Sequence, residues 1–311
     1  VGKTRQEIAY ALESGIYCFN VESMPELDLI DRVAASMNLT APVSLRINPD
    51  VDSGTHEYTT TGKKETKFGI PFDQALECYR KTASYEHLRI MGIDTHIGSQ
   101  IVSSQPFVAA YQKIAQLYRE LLDEGFDLEF CDIGGGLGIR YNDEPPPTPQ
   151  QFAEAVLPEV EPLDCRIVIE PGRSISGNAG VLLTRVVHYK QTEVKNFAVV
   201  DAGMNDIIRP SLYGAYHRIE PVVKADERGQ ATVDVVGPIC ESGDFIAKDR
   251  AMQEVNEGDL LCVYSAGAYT ATMSSNYNGR PRGAEVLVDG SDWQVVRKAE
   301  TLDDLIRGEE L

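Results

Sequence analysis

The chain has 311 residues, 42% of them hydrophobic, and carries 48 acidic against 29 basic side chains for a net charge of −19. That length suffices for a full core and suits two domains, while the acidic balance argues against nucleic acid as a partner, because a phosphate backbone needs a basic face. No run of eighteen apolar residues and no charged-then-apolar leader occurs in the sequence, so no membrane partner is expected.

The six cysteines, Cys18, Cys78, Cys131, Cys165, Cys240 and Cys262, contain no C-x-x-C pair. Neither a disulfide framework nor a zinc site is suggested, no metal is expected, and reduced thiols in a cytoplasm fit best.

In chain order, Thr4-Arg5-Gln6-Glu7 is a capping box that opens a helix over 4–14, stopped by Gly15. A strand over 16–21 follows. Ser23-Met24-Pro25-Glu26 reads as a second capping box, with Leu27, Ile30, Val33, Ala34 and Met37 at the spacing of one buried helical face. A strand over 43–47 leads into a polar loop over 48–69, long enough to suggest function. A helix is expected over 71–83 and a strand over 89–95, ending in His96-Ile97-Gly98-Ser99-Gln100. The next helix places Phe107, Tyr111, Ile114, Tyr118, Leu121 and Leu122 on one side and ends at Gly125. An apolar strand over 128–133 then breaks into Gly134-Gly135-Gly136-Leu137-Gly138, and a proline-rich loop over 141–147 precedes a helix opened by Thr148-Pro149. The strand over 165–169 closes on Glu170-Pro171-Gly172-Arg173.

Strands thus alternate with helices five times at βα spacing, which predicts a parallel sheet, open or closed into a barrel. The polar motifs follow the strands' C-terminal ends, where such sheets place their chemistry. Beyond residue 180 the segments 181–189, 197–201, 231–236 and 260–264 are β-rich without intervening helices, as an antiparallel domain would be.

Each motif taken alone has two readings. The glycine run is an empty tight turn or an anion cradle, since residues without a Cβ let backbone N–H groups approach a phosphate. His96 satisfies a hydrogen bond at a sheet rim, or stacks on a ring beside a phosphate ligated by Ser99. Glu170 and Arg173 form an internal salt bridge, or serve a heterocyclic nitrogen and a carboxylate. Arg209 and Tyr213, four apart, share a helical face that is solvated or functional. Cys240-Glu241-Ser242-Gly243-Asp244 is an ordinary loop or a thiol beside carboxylates. Tyr269, in Gly267-Ala268-Tyr269, packs at a sheet corner or binds phosphate.

Their order is more specific than any member. HIGSQ, DIGGGLG, EPGR, DAGMND, RPSLYGAYH, CESGD, GAY and MSSNYN follow one another in register from residue 1 to about residue 306. In this the chain closely resembles the diaminopimelate decarboxylases of the fold-type III pyridoxal-phosphate decarboxylase family. The resemblance implies an α/β fold: a (β/α)8 barrel that binds pyridoxal 5'-phosphate, here over residues 1–178 and incomplete at its N-terminal strands, plus a C-terminal antiparallel β-domain over 179–311 that completes the site. It implies decarboxylation of meso-diaminopimelate to L-lysine by a homodimer with shared active sites.

By matching motifs, the family assigns cofactor binding to His96, Ser99, Gly135, Gly136, Glu170, Gly172, Arg173 and Tyr269. His96 stacks on the ring, and Glu170 pairs with the pyridine nitrogen. Arg173, Arg209, Tyr213, Glu241 and Tyr269 are assigned to the substrate. Its distal zwitterion calls for a guanidinium and a carboxylate. Cys240 and His96 are the catalytic positions, Cys240 returning a proton to the carbon that loses CO2. Ornithine, arginine or carboxynorspermidine decarboxylases are rivals within the family, and a catalytically dead homologue acting as a binding protein is a rival outside it. The sequence departs from the family in one respect. No lysine sits in the Tyr-Ala-x-Lys-Ala-like setting of the Schiff-base lysine, and Lys3 and Lys67 are poor substitutes. A truncated or cleaved copy of a longer protein is therefore expected.

Overall fold

The computed structural model describes residues 1–56, 61–63, 65–225 and 227–310. Part of the polar loop expected over 48–69 and the last residue of the expected β-domain lie outside those residues. The chain divides into two compact units, Val1–Ile139 with Pro145–Ser174, and Arg140–Glu144 with Ile175–Leu311.

The first unit runs α1 (Arg5–Glu13), β1 (Phe19–Val21), α2 (Met24–Met37), β2 (Ala41–Asn48), β3 (Ile70–Pro71), α3 (Ala75–Thr82), β4 (Leu88–Asp94), α4 (Gln105–Asp123), β5 (Phe130–Asp132), α5 (Pro149–Val160) and β6 (Arg166–Val168); α6 (Arg173–Ser176) follows, its first two residues in the first unit and its last two in the second. The order β1-β2-β4-β5-β6 is parallel throughout, and the short β3 joins the end of β2. This is the sheet of the expected α/β barrel.

The capping box at Thr4 forms in both directions. The one at Ser23 forms only by half: Ser23 accepts the Glu26 N–H, but the Glu26 carboxylate accepts from Glu22 N and Lys3 Nζ instead. Strand alternation sorts the side chains. Val43, Leu45, Ile93 and Cys131 join the apolar cluster with Leu27 and Ile30 of α2 and Tyr111 and Tyr118 of α4. Leu122, expected on the buried face of α4, is 42% exposed, because it lies beyond the stripe that Leu121 ends. Full burial of a side chain such as Ile30 stabilises by about 1.5–3 kcal/mol.

The second unit contains β7 (Leu182–Gln191), β8 (Asn196–Val200), α7 (Arg209–Tyr213), β9 (Ile219–Pro221), β10 (Gln230–Val236), β11 (Phe245–Gln253), β12 (Leu260–Val263), the hairpin β13 (Glu285–Asp289) with β14 (Asp292–Arg297), and α8 (Leu302–Leu305). Its larger sheet has the order β11-β10-β8-β7-β12-β9. Pairings are antiparallel as expected, with one exception: β8 and β10 run parallel. The connection over 201–229, which carries α7 and β9, is long enough for the crossover that a parallel pair requires. Among the described residues, no helix is long and apolar enough to cross a membrane.

Candidate active site

In the first unit the chemistry gathers where β4, β5 and β6 end. The turn 134–136 threads between the neighbouring strand ends so closely that no side chain fits. A Cβ on Gly134 would lie 2.3 Å from the Thr95 carbonyl oxygen, one on Gly135 2.1 Å from that of Glu170, and one on Gly136 2.4 Å from that of Gly98. Gly134 and Gly136 also take positive φ of 68° and 105°, which glycine alone adopts without strain. The Glu170 N–H donates to the Gly134 carbonyl at 2.8 Å, and the Ile101 N–H to that of Gly136 at 2.9 Å. The turn is therefore locked by backbone on both sides.

His96 is drawn into this turn. The Gly135 N–H donates to its Nδ1 at 3.1 Å, so Nδ1 is the acceptor. Burial, with the Arg46 charge adding to it, pushes the imidazole down to about 4, which leaves a neutral ring at physiological pH. Arg173, 6% exposed, donates to the Ser99 hydroxyl from Nε at 3.4 Å and Nη2 at 3.1 Å. Arg173 thus pairs with Ser99 on one side, while Glu170 belongs to an acidic cluster on the other.

That cluster is Asp94, Asp132 and Glu170, whose carboxyl oxygens lie within 4.8 Å of one another. Asp94 is 2% exposed, and its Oδ1 has no hydrogen-bond partner. Burial first, then the neighbouring carboxylates of Asp132 and Glu170, push its carboxyl well above the ordinary range. Desolvation likewise raises Asp132, which accepts from Gly134 N at 2.9 Å and Asn20 Nδ2 at 3.4 Å. Glu170 sits at the exposed lip and accepts from Asn20 Nδ2 at 3.4 Å; partial desolvation and then Asp132 raise its proton affinity. Arg46 donates to Glu22 at 2.7 Å and to the His96 carbonyl at 3.5 Å, so a cation closes the far side.

Asn20, Arg46 and Asp94 were not singled out by sequence reasoning, and Asp132 entered only as the first residue of the DIGGGLG motif, with no role. The signal that could have found them is strand alternation: each is a polar residue inside an apolar strand, and such a residue needs a reason to be there. Lys3 donates to the Asn20 carbonyl at 2.7 Å and to Glu26 at 3.2 Å. Lys67 lies over the Phe68 ring.

The second unit collects the remaining predicted residues on irregular segments. Arg209 and Tyr213 are the first and last residues of α7, which Gly214 ends in the left-handed region. Arg209 is buried, its guanidinium 4.5 Å over the Tyr141 ring and hydrogen-bonded to His217 at 2.7 Å. Cys240 and Glu241 are exposed on the loop between β10 and β11. Asp244 ties that loop down: its carboxylate accepts from Met204 N at 2.6 Å and Ile239 N at 2.7 Å. Glu241 accepts from the Tyr277 hydroxyl at 2.5 Å, so the CESGD and MSSNYN motifs meet. Tyr269 is 40% exposed and takes φ of 63°, an uncommon conformation for a residue with a Cβ. Gly267 beside it has no room for a side chain, since a Cβ would fall 1.8 Å from the Ser176 carbonyl oxygen.

A glycine cradle, a neutral imidazole, a serine–arginine pair and a carboxyl of raised proton affinity suit a flat nitrogen heterocycle that carries a phosphate. The residues present therefore fit pyridoxal phosphate.

Comparisons with known proteins agree. The pyridoxal binding domain of the pyridoxal-dependent decarboxylases matches residues 1–177. The chain is 51% identical over 311 residues to a diaminopimelate decarboxylase of Pseudomonas aeruginosa, covering 100% of this chain and 74% of that one. It is 52% identical over 309 residues to that of Neisseria meningitidis serogroup B, covering 99% and 74%. The crystal structure of the Helicobacter pylori diaminopimelate decarboxylase complexed with L-lysine superposes with a TM-score of 0.94 at 41% identity, covering 99% of this chain and 76% of that one.

Proposed function

The chain belongs to the diaminopimelate decarboxylases, within the pyridoxal-dependent decarboxylase family, and on that premise we propose how its residues divide the work. The reaction is the pyridoxal-phosphate-dependent removal of CO2 from meso-diaminopimelate, which leaves L-lysine. The observation that carries the assignment of roles is the neutral His96 ring hydrogen-bonded to the glycine turn, with the raised Glu170 carboxyl at the adjoining strand end.

When bound, pyridoxal phosphate supplies a ring that accepts the electron pair left behind as CO2 departs. Ser99, Gly135, Gly136 and Tyr269 would hold its phosphate, Gly172 would belong to the same cofactor site, and Arg173 orients Ser99. His96, uncharged, presents a flat face to the ring without repelling a cationic nitrogen. Glu170 would face that nitrogen. Desolvation first, then the neighbouring Asp132, raise its affinity for a proton, which would favour a proton shared between carboxylate and nitrogen. Arg209 takes the substrate's distal carboxylate, Glu241 its distal ammonium, and Tyr213 lines the same end. Tyr277 steadies Glu241 through its hydroxyl. Cys240, exposed at the tip of its loop, delivers the proton that replaces CO2. The assembly we propose is a homodimer with shared active sites. The cytoplasm is the proposed compartment, supported by six free thiols.

Purified protein supplied with pyridoxal phosphate is the test. It should release CO2 from meso-diaminopimelate and not from ornithine, arginine or carboxynorspermidine. Faster release from a substrate that lacks a distal carboxylate would overturn the assignment of Arg209.

A further inference from the structure

His217 closes the motif RPSLYGAYH and has no role in the scheme above. It is 0% exposed, and its two ring nitrogens have different partners. Nε2 lies 2.7 Å from Arg209 Nη1, and Nδ1 lies 2.9 Å from the Tyr264 carbonyl oxygen. A guanidinium can only donate, so Nε2 accepts. The ring proton is then on Nδ1 and donates to Tyr264, which fixes the tautomer.

The frame around it is equally defined. Arg250 Nη1 donates to the His217 carbonyl at 2.6 Å, and Tyr264 N donates to the Arg218 carbonyl at 2.8 Å, so a guanidinium and a backbone bond hold the segment that carries the histidine. Tyr141 packs edge-on against the imidazole at 5.3 Å and 78°, while its face lies under Arg209 at 4.5 Å. Glu144 anchors Tyr141 in turn, accepting from the N–H groups of Tyr141 at 2.8 Å and Asn142 at 2.9 Å. Arg209 is therefore gripped from one edge by an uncharged acceptor and from one face by a ring.

The choice of an uncharged partner has a consequence. An aspartate at this place would orient the guanidinium equally well, but it would neutralise its charge and compete with an incoming carboxylate. A neutral imidazole orients the fork without itself neutralising its charge. We propose that His217 is a positioning residue for substrate selection: through Nε2 it sets the guanidinium of Arg209 so that the enzyme prefers ligands bearing a carboxylate at the end remote from the reacting carbon. This rests on the assignment of Arg209 to that carboxylate.

Calorimetry on the pyridoxal-phosphate-loaded protein tests it, with two probes that differ by one carboxylate, L-lysine and cadaverine. His217→Phe keeps a ring and removes both nitrogens. It should weaken L-lysine by about tenfold, within the range of a charge-assisted hydrogen-bond network, and leave cadaverine within about twofold. His217→Gln, whose amide can accept from Arg209, should recover most of the loss. Equal weakening of both probes, or unchanged L-lysine affinity in His217→Phe, would overturn the proposal.

Arg209→Met is the control for the underlying assignment. Unchanged L-lysine affinity there would defeat the role of Arg209 itself, whereas a loss there without a loss in His217→Phe would defeat only the positioning role. Nitrogen-15 spectra of ring-labelled histidine in the unmutated protein remove any dependence on variant folding. They should report the Nδ1–H tautomer for His217 at pH 7, and a proton on Nε2 would overturn the proposal.

Discussion

In the parallel-sheet unit, His96, Asp132 and Glu170 stand at the ends of three adjacent strands, and the turn among them is fixed by backbone carbonyls that leave no space for a Cβ. In the second unit, Arg209, Cys240 and Glu241 lie on a short helix and a loop, fixed by side chains: His217 and Tyr141 for the first, Asp244 and Tyr277 for the others. The difference teaches what each part tolerates. A site fixed by backbone fails abruptly when a glycine is replaced, because strands cannot move apart. A site fixed by side chains loosens in steps, one hydrogen bond at a time.

Gly135→Ala should have the largest effect. With backbone oxygen 2.1 Å from the new Cβ, β5 and β6 must separate. A loss of at least about 3 kcal/mol in urea melts is expected, together with loss of cofactor binding. A folded, cofactor-binding variant would break the comparison on its first side.

Asp244→Ala comes next. It leaves the buried N–H of Ile239 and the half-buried N–H of Met204 without their acceptor, at a cost of about 1–4 kcal/mol. The loop of Cys240 and Glu241 should loosen, so turnover falls while cofactor affinity holds. Equal losses in both would show that the two units do not place their residues independently.

Asp94→Asn sharpens the first side through pH. Its carboxyl is raised in the folded protein by burial and by neighbouring carboxylates, so the native state holds the proton more tightly than the unfolded chain does. Its contribution to stability is present below the ordinary carboxyl range and is lost as pH rises through the folded value. Urea melts across about pH 4 to pH 8 should therefore show the unmutated protein losing stability relative to the variant as pH rises, by on the order of 1 kcal/mol at the upper end. The slope common to both proteins combines Asp132, Glu170 and Asp206, raised first by burial, with His96, whose lowered value makes stability rise with pH instead. A steeper fall in the variant would contradict the buried-acid reading.

Tyr277→Phe has the smallest expected effect. It removes one exposed hydroxyl from Glu241. The Michaelis constant for meso-diaminopimelate should rise about fivefold or less, with turnover nearly unchanged. A turnover collapse would mean that Tyr277 touches the reacting atoms.

The same contrast explains what was legible in the sequence. The apolar runs over 43–47, 89–95 and 128–133 announced β2, β4 and β5 because strand burial repeats at a short period. His96, the glycine turn and Glu170 could be placed because they follow such runs. Asp94 and Asp132 were hidden inside them: an acid in an apolar strand reads as an interruption until its neighbours from other strands are known. In the second unit the strand order crosses itself, with β8 beside β10 and β12 beside β9, so local pattern could not say which loops meet. The contact of Glu241 with Tyr277 and the stacking of Arg209 on Tyr141, a residue 68 positions earlier in the chain, depend on that topology. Motif order alone pointed to their shared purpose.

Cys240→Ala tests the central division of labour most directly, because the thiol is assigned the proton transfer and no part in holding the cofactor. Turnover of meso-diaminopimelate and pyridoxal-phosphate affinity should be measured on the same preparation. Turnover lower by about 100-fold or more, with cofactor affinity within about twofold, is the predicted result. Unchanged turnover, or turnover lost only in step with cofactor, would contradict it.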